Sequence, residues 1–258
     1  MNLFQWMQRM VSEYWKQFLF GTVNTLVMAV VGTAVGLLIG LLIAILRTVP
    51  VRPSDPKPKK ILSAVVGFLT GAYVEIIRGT PMMVQALIIH YSLFIKLGLP
   101  NLVSALIIIS VNTGAYMAEI VRGGIISVGR GQTEGAASIG MTHMQTMRLV
   151  VLPQALRNVM PSVCNEFVVN IKDSSVLSVI SITELMFISK QAGGAYAKFV
   201  PAYVICAIIY FILTFTVSRL MRFIEKKMDG SDTYVICGSQ SDPDAEIHLK
   251  KEGGRSGR

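Results

Sequence analysis

Six charged side chains of this sequence lie within or beside long apolar runs, where a charge is costly. They are Glu75, Arg78, Glu119, Glu166, Lys172 and Asp173. At the centre of a bilayer each charge costs about 2.5–3.5 kcal/mol, so such residues usually face a partner charge or a water-filled cavity. The chemistry that they offer is therefore ion pairing inside the protein or recognition of a charged solute.

Three of these charges have an opposite charge one helical turn away. Glu75 and Arg78 are three residues apart, and Glu119 and Arg122 repeat that spacing. Side chains three residues apart lie on one face of a helix. For both pairs we expect structural ion pairing rather than contact with a solute.

Glu166 differs from the paired acids because no basic residue lies one turn away on its helix. Its carboxylate could recognise an ammonium group or a neighbouring subunit. Lys172 and Asp173, followed by two serines, form a polar interruption in the same apolar run. The interruption could line a solute path or stabilise a helix break, and the sequence alone leaves both open.

The composition places these residues in an integral membrane protein. The 258 residues are 52% hydrophobic with a mean hydropathy of +0.57, which is more apolar than a soluble domain. The net charge of +9 does not indicate nucleic-acid binding, because the basic residues gather at the ends of apolar runs, where they orient the chain. The three cysteines are scattered and suggest neither a disulfide framework nor a metal site.

Hydropathy predicts five membrane spans, with the N-terminus outside and the C-terminus in the cytoplasm. The spans are about 19–46, 61–95, 102–121, 159–182 and 199–224. The second span is joined across Arg78-Gly79-Thr80-Pro81, because the basic loop at 47–60 and the loop around Glu134 both face the cytoplasm and an even number of crossings must separate them. Backbone groups freed at that break require protein or a water-filled cavity beside them. Two separate spans in 61–97 remain the alternative.

The two ends of the chain differ from its middle, residues 19–227. Residues 1–18 are predicted as an amphipathic helix in the membrane interface, with a stripe formed by Phe4, Met7, Val11, Tyr14, Trp15 and Phe18. Residues 228–258 are polar and are predicted to be a disordered cytoplasmic tail.

Three glycines of the first span, Gly32, Gly36 and Gly40, recur every four residues. They form a groove in which another helix can approach closely. An interface between subunits and packing within the chain are equally open.

Residues 134–153 form a polar knob between two apolar runs. The sequence predicts a short helix from Glu134 to Ile139, a turn at Gly140 and a second helix from Met141 that Pro153 ends. Methionines at 141, 144 and 147 recur at helical spacing and suit an adaptable contact surface. They could face a partner or pack beneath the spans.

The knob resembles the cytoplasmic EAA loop of ABC-importer membrane subunits. Matching positions are Glu134, Ala136, Gly140, Val150, Leu152 and Pro153. Gly135 replaces the usual first alanine, which lowers helix propensity by about 1 kcal/mol. The segments 73–81 with Gln85, 115–125, 165–167 and 172–177 resemble the permeases of polar amino-acid importers of the histidine and glutamine type. The resemblance runs from about residue 19 to residue 227 and does not cover the tail.

The resemblance implies an all-α, type I ABC-importer permease (MetI-like) fold in the cell (inner) membrane. It implies a second permease subunit, identical or different, ATPase subunits and an extracytoplasmic solute-binding protein as partners. Within the loop 124–157 it assigns ATPase coupling to Glu134, Gly135, Ala136, Ala137, Ser138, Gly140, Met141, Leu152 and Pro153. It assigns the substrate pathway to Thr80, Met82, Met83, Gln85, Asn112, Asn165, Glu166, Lys172 and Asp173.

We expect no catalysis, bound cofactor or metal in this chain. The sequence has no G-x-x-x-x-G-K-[ST] phosphate loop, so ATP and Mg²⁺ are expected on a partner ATPase. The alternative is an ion-coupled secondary transporter that binds a proton or sodium at one of the intramembrane acids. Inverted repeats would favour it, and the two halves share no parallel motif pattern. A purely structural subunit would leave the costly charges unexplained. The sequence does not identify the amino acid that is transported.

Overall fold

Helices account for this fold because a chain in lipid must satisfy its backbone hydrogen bonds within each segment. The computed structural model describes residues 1–48 and 55–228, with side chains up to residue 224. Within these residues there are nine α-helices and no strand. The helices are α1 (Leu3–Thr48), α2 (Lys57–Gly79), α3 (Met82–Ile89), α4 (Asn101–Ser127), α5 (Arg130–Ser138), α6 (His143–Thr146), α7 (Leu152–Asp173), α8 (Leu185–Ala195) and α9 (Phe199–Met228).

Three short helical segments that are not α-helical extend these elements. They are π-helical turns at His90–Phe94 and Met147–Val151 and a 3-10 helix at Ser174–Ile180. Residues 229–258 of the predicted tail and 49–54 of the predicted basic loop lie outside the described residues.

Among the described helices, α1, α2, α4 and α9 are long and apolar enough to cross a membrane. The predicted fourth span, 159–182, corresponds to α7 and the 3-10 helix that follows it. Helix α7 does not reach that hydropathy, because four charged residues lie along its 22 residues: Arg157, Glu166, Lys172 and Asp173. Packing against α1, α4 and α9 covers much of it instead. The orientation of the chain in the membrane stays a prediction.

Helix α1 differs from the sequence expectation because it has no break near residue 18. Its 46 residues make a helix about 69 Å long at 1.5 Å per residue, more than twice the hydrocarbon thickness of about 30 Å. Met10 is fully buried and Phe18 is 5% exposed, and both pack with Leu185 of α8 and Ala202 of α9. Part of the predicted interfacial stripe is thus covered by protein, since α8 and α9 reach the N-terminal end of α1. The membrane position of residues 1–18 stays a prediction.

The glycine groove of α1 is filled from within the chain. Gly32, Gly36 and Gly40 face α4, where the closest residues are Ile109, Thr113 and Met117 in that order. A Cβ atom on Gly40 would lie 2.5 Å from the Met117 Cβ atom, far inside van der Waals contact. The structure therefore supports packing within the subunit for this groove.

The helix break predicted at residues 78–81 is confirmed. Helix α2 ends at Gly79 and α3 begins at Met82, and between them Thr80 and Pro81 are extended, with ψ of 144° and 133°. Proline has no N–H group and disfavours the helical conformation of the residue before it. The chain is therefore interrupted at this point.

Helices α2 and α3 follow one another along α4. Val74 of α2 packs with Ala118 in the second half of α4. Ala86 of α3 packs with Ala105 in the first half of α4. Since α4 is a single helix, the two pieces pass it as one interrupted crossing.

Candidate functional site

The knob begins with α5 and ends that helix in a fixed turn. Gly140 has a φ of +81°, which favours glycine. The Gly140 N–H donates to the Ala137 carbonyl at 3.0 Å, and the Met141 N–H donates to the Ala136 carbonyl at 3.1 Å. This pair of bonds is a Schellman motif, which satisfies the carbonyls at the helix end. The predicted turn at Gly140 is confirmed, and α5 begins at Arg130, about one turn earlier than predicted.

The second arm of the knob is continuous with the next long helix. Thr142 and Gln145 form a reciprocal capping box at the start of α6. The expectation that Pro153 ends the helix was wrong, because the chain continues into α7 with Pro153 in its first turn. The π-helical turn at Met147–Val151 lies where the proline ring would clash with the carbonyl four residues earlier. The wider turn accommodates the ring.

The knob has a buried side and an exposed apolar side. Ala136 and Met147 are each 6% exposed, and Met147 packs with residues of α1 and α4. Ile139 is 78% exposed, and Met144 and Leu149 are each 64% exposed. The methionine stripe therefore divides, with Met147 beneath the spans and Met144 at the surface.

The other predicted coupling residues lie in the same knob. Those at its surface are Glu134, Gly135, Ala137, Ser138 and Pro153, and those half-buried are Met141 and Leu152. An exposed aliphatic surface on a helix–turn–helix that is anchored below suits docking to another protein.

Gln85 closes the break between α2 and α3. Its side-chain amide donates to the Ile77 carbonyl at 2.8 Å, to the Thr80 carbonyl at 2.9 Å and to the Thr80 Oγ1 atom at 2.7 Å. Its Oε1 atom accepts a bond from Asn112 of α4 at 3.1 Å. The predicted pathway residues Thr80, Gln85 and Asn112 are thus brought together.

A second polar chain crosses the bundle and was missed by sequence reasoning. The Thr113 hydroxyl donates to Asn170 at 2.9 Å, and the Asn170 amide donates to Thr33 at 2.8 Å. These three residues join α4, α7 and α1. The signal that the sequence offered for this polar chain is Asn170, an uncharged polar residue one turn after Glu166.

Glu166 lies inside the bundle and is 5% exposed. It is within electrostatic reach of Arg78 and Asp173. The Arg78 guanidinium lies 5.4 Å from the centre of the Tyr116 ring, a cation–π distance. A carboxylate and a guanidinium from different helices therefore border the interior near the helix break.

The remaining predicted pathway residues differ in exposure, and Asp173 is half-buried. Lys172 is exposed and lines a groove between α7 and α9. Met83 and Asn165 are exposed and Met82 is half-buried. The structure therefore does not bring Lys172 together with Gln85 and Glu166.

Of the two predicted ion pairs, one forms. Glu119 contacts Arg122 at 2.9 Å and also Arg47 of α1 at 2.9 Å. No ion pair joins Glu75 and Arg78, both of which the structure describes, and Arg78 stacks on an aromatic ring instead. The ion pair between Arg47 and Glu119 therefore links the C-terminal end of α1 to α4.

Glu184 is a buried acid that sequence reasoning missed. It is fully buried and caps α8, where its Oε1 atom accepts the Phe187 N–H at 2.6 Å and its Oε2 atom accepts the Met186 N–H and the Tyr210 hydroxyl, each at 2.8 Å. Burial raises the pKa of Glu184 to about 7, against the lowering effect of these donors and Lys190. An acid just before an apolar helix was the available signal.

The fold and the site define a class of protein. It is an all-helical, multi-pass membrane protein with an exposed helix–turn–helix and a polar interior at an interrupted helix. The family of binding-protein-dependent transport system inner membrane components matches residues 61–230, and the chain belongs to that family.

Relatives of known name are transport permeases. The L-cystine transport system permease protein TcyB of Bacillus subtilis (strain 168) is 41% identical over 160 residues, 61% of this chain and 68% of that protein. The glutamine transport system permease protein GlnP of Escherichia coli (strain K12) is 33% identical over 159 residues, 60% and 73% of the two chains. Neither the family nor these relatives support the ion-coupled alternative.

Solved structures agree with this fold. The crystal structure of an amino acid ABC transporter with histidines has a TM-score of 0.72 and 34% identity, covering 84% of this chain and 96% of that chain. The inward-facing MetNI methionine ABC transporter has a TM-score of 0.65 and 22% identity, covering 82% and 98%. The chain therefore has the type I permease fold.

Proposed function

We propose that this chain is the permease subunit of an ABC importer for polar amino acids in the cell (inner) membrane. Its partners would be ATPase subunits, a second permease subunit and an extracytoplasmic solute-binding protein. The ATPase subunits would bind ATP and Mg²⁺, and this chain would bind no cofactor. The observation that carries the proposal is the knob, a rigid helix–turn–helix with an exposed aliphatic surface in a chain of this family.

The knob can transmit motion because its base is part of the bundle. Met147 shares a core cluster with Ala44 of α1 and Val121 of α4. The Schellman turn and the capping box hold the two arms in one shape. Closure of an ATPase that grips residues 134–140 would thus move the spans as a body and expose the interior alternately to each side.

The polar interior would form the substrate path. Its members in the proposal are Thr80, Gln85, Asn112 and Glu166, with Met82, Met83, Asn165 and Asp173 at its margins. The Glu166 carboxylate could receive an ammonium group, which every free amino acid carries. Lys172 lies on a different face of α7, where it is exposed.

The test exploits two glycines of the knob. Gly140→Val places a β-branched residue at a φ of +81°, where such residues are strained, and should abolish uptake and reduce co-purification of the ATPase. Gly131→Val is the matched control, because Gly131 lies in α5 outside residues 134–140 and nothing lies within 4 Å of a Cβ atom there. Glu134→Lys, which reverses an exposed charge, should act like Gly140→Val.

Membrane insertion should be unchanged in all three variants. Wild-type amounts of ATPase bound to Gly140→Val and Glu134→Lys would contradict coupling through the knob. The transported amino acid is best identified by binding assays on the cognate solute-binding protein.

A further inference from the structure

A cationic groove lies between α7 and α9, outside the polar interior. It encloses about 290 Å³ and is lined by Lys172 of α7 and by Arg219 and Arg222 of α9. Thr214 and Ser218 also line it, and the Thr214 hydroxyl donates to the Tyr210 carbonyl of its own helix at 2.8 Å. Three positive charges on one concave surface indicate an anionic ligand.

Among the described side chains no carboxylate lies within 4 Å of these three cations, and Asp173 is within electrostatic reach of Lys172. Each of the ion pairs formed by those side chains lies elsewhere. Asp173, which follows Lys172 in the chain, does not line the groove. The Arg219 guanidinium lies 5.1 Å from the centre of the Phe215 ring, a contact that leaves its N–H donors available.

The groove is amphipathic along its length. Val168, Phe211 and Phe215 form an apolar wall, and the two aromatic rings are 66% and 50% exposed. From Phe211 to Arg222 the helix rises about 16 Å at 1.5 Å per residue. The groove thus combines an apolar wall with cationic side chains, of which Arg219 and Arg222 lie toward the C-terminal end of α9.

We propose that this groove binds an anionic phospholipid, with its phosphate among Arg219, Arg222 and Lys172 and an acyl chain along the phenylalanine wall. Basic pockets between membrane helices are suited to anionic headgroups. The proposal places the groove on a face that the second permease subunit leaves open to lipid, where anionic phospholipid is present. The proposal does not rest on the transport function.

The groove is separate from the proposed substrate path. Lys172 follows Glu166 by six residues, which at about 100° per residue turns it roughly 120° around the helix. Glu166 is buried in the bundle and Lys172 is exposed. A solute in the interior and a lipid in the groove would therefore contact different faces of α7.

The test is lipid binding to the purified full chain, measured by native mass spectrometry during titration with phosphatidylglycerol or phosphatidylcholine. The wild type should bind phosphatidylglycerol in preference to phosphatidylcholine. Neutralising the groove should weaken phosphatidylglycerol binding at least tenfold, since each basic residue contributes about fivefold, and should leave phosphatidylcholine binding unchanged. The groove variant is Lys172→Gln with Arg219→Gln and Arg222→Gln.

A matched control removes the same charge from exposed positions outside the groove: Lys16→Gln with Lys96→Gln and Lys198→Gln. Equal loss in both triple variants, or no loss in the groove variant, would overturn the proposal. Displacement of phosphatidylglycerol by millimolar inorganic phosphate alone would also overturn it in favour of a free-anion site. If the triple variant does not fold, Arg222→Gln and the charge-conserving Arg222→Lys replace it, and only Arg222→Gln should lose preference.

Discussion

Gln85 is the side chain that makes the interrupted helix a defined structure. It donates to two carbonyls and a hydroxyl at the break, and it accepts a bond from Asn112. The resemblance to amino-acid permeases identified Gln85 as a pathway residue. It did not indicate that Gln85 binds the backbone of its own chain, because that contact depends on the placement of α3 relative to the end of α2.

Gln85→Ala should lower uptake about tenfold, because each hydrogen bond lost at the break costs about 0.5–1.5 kcal/mol. Gln85→Glu should do the same, since a carboxylate supplies no donor in place of the amide. Uptake into vesicles with equal amounts of the chain measures the effect. Gln17→Ala, at an exposed position of α1, is the control, and wild-type uptake by Gln85→Ala would contradict this role.

Glu184 makes the stability of the protein depend on pH. Its pKa is about 7 in the folded chain against 4.5 for the free side chain, so between these values the folded state binds more protons than the unfolded state. The contribution of Glu184 to the free energy of unfolding should therefore be greatest below pH 4.5, fall by up to about 3 kcal/mol as the pH rises to about 7, and be constant above.

Melting temperatures in detergent between pH 4 and pH 8 measure this dependence. Glu184→Gln has no titrating group at this position and should lose that part of the pH dependence. An unchanged profile in the variant would assign the dependence to other groups.

At the scale of elements, the contact of α1 with α4 sets the frame for the interior. The glycines of α1 bring its backbone against α4, and Thr33 and Thr113 then reach Asn170. The spacing of the glycines predicted a close helix contact, and only the structure identified the partner helix.

Gly40→Leu should destabilise the protein by about 3 kcal/mol, the upper end of the usual cost of overpacking, because a Cβ atom there lies 2.6 Å from the Met117 carbonyl carbon. Gly67→Leu on α2 is the matched control, with nothing within 4 Å. The melting temperature in detergent should fall for Gly40→Leu alone. Equal melting of the two variants would show that α1 and α4 separate easily.

At the scale of the whole molecule, the family assignment and the proposed partners predict the energy source of transport. Vesicles that contain this chain with its second permease subunit and ATPase should take up amino acid only with ATP and the solute-binding protein. Vanadate should stop uptake, because it traps ATPases, and an ionophore should have little effect. Uptake that an ionophore abolishes and vanadate does not affect would favour ion coupling.

The sequence by itself determined the features that depend on neighbouring residues. Long apolar runs predicted the helices, Pro81 predicted the break and Gly140 predicted the turn of the knob, because each acts on the backbone beside it. The motif around Glu134 indicated the family for the same reason, since its residues are close in the chain.

Only the tertiary structure decided which faces meet. Thr33 and Asn170 are 137 residues apart, and no local pattern links them. The sequence left open whether Met147 is exposed or buried, and its packing against α1 and α4 decides that it is buried. The sequence also allowed Lys172 to line the interior, and the packing of α7 against α9 places it at the surface. Side-chain roles of this kind depend on the helix that packs opposite, which spacing along one helix does not specify.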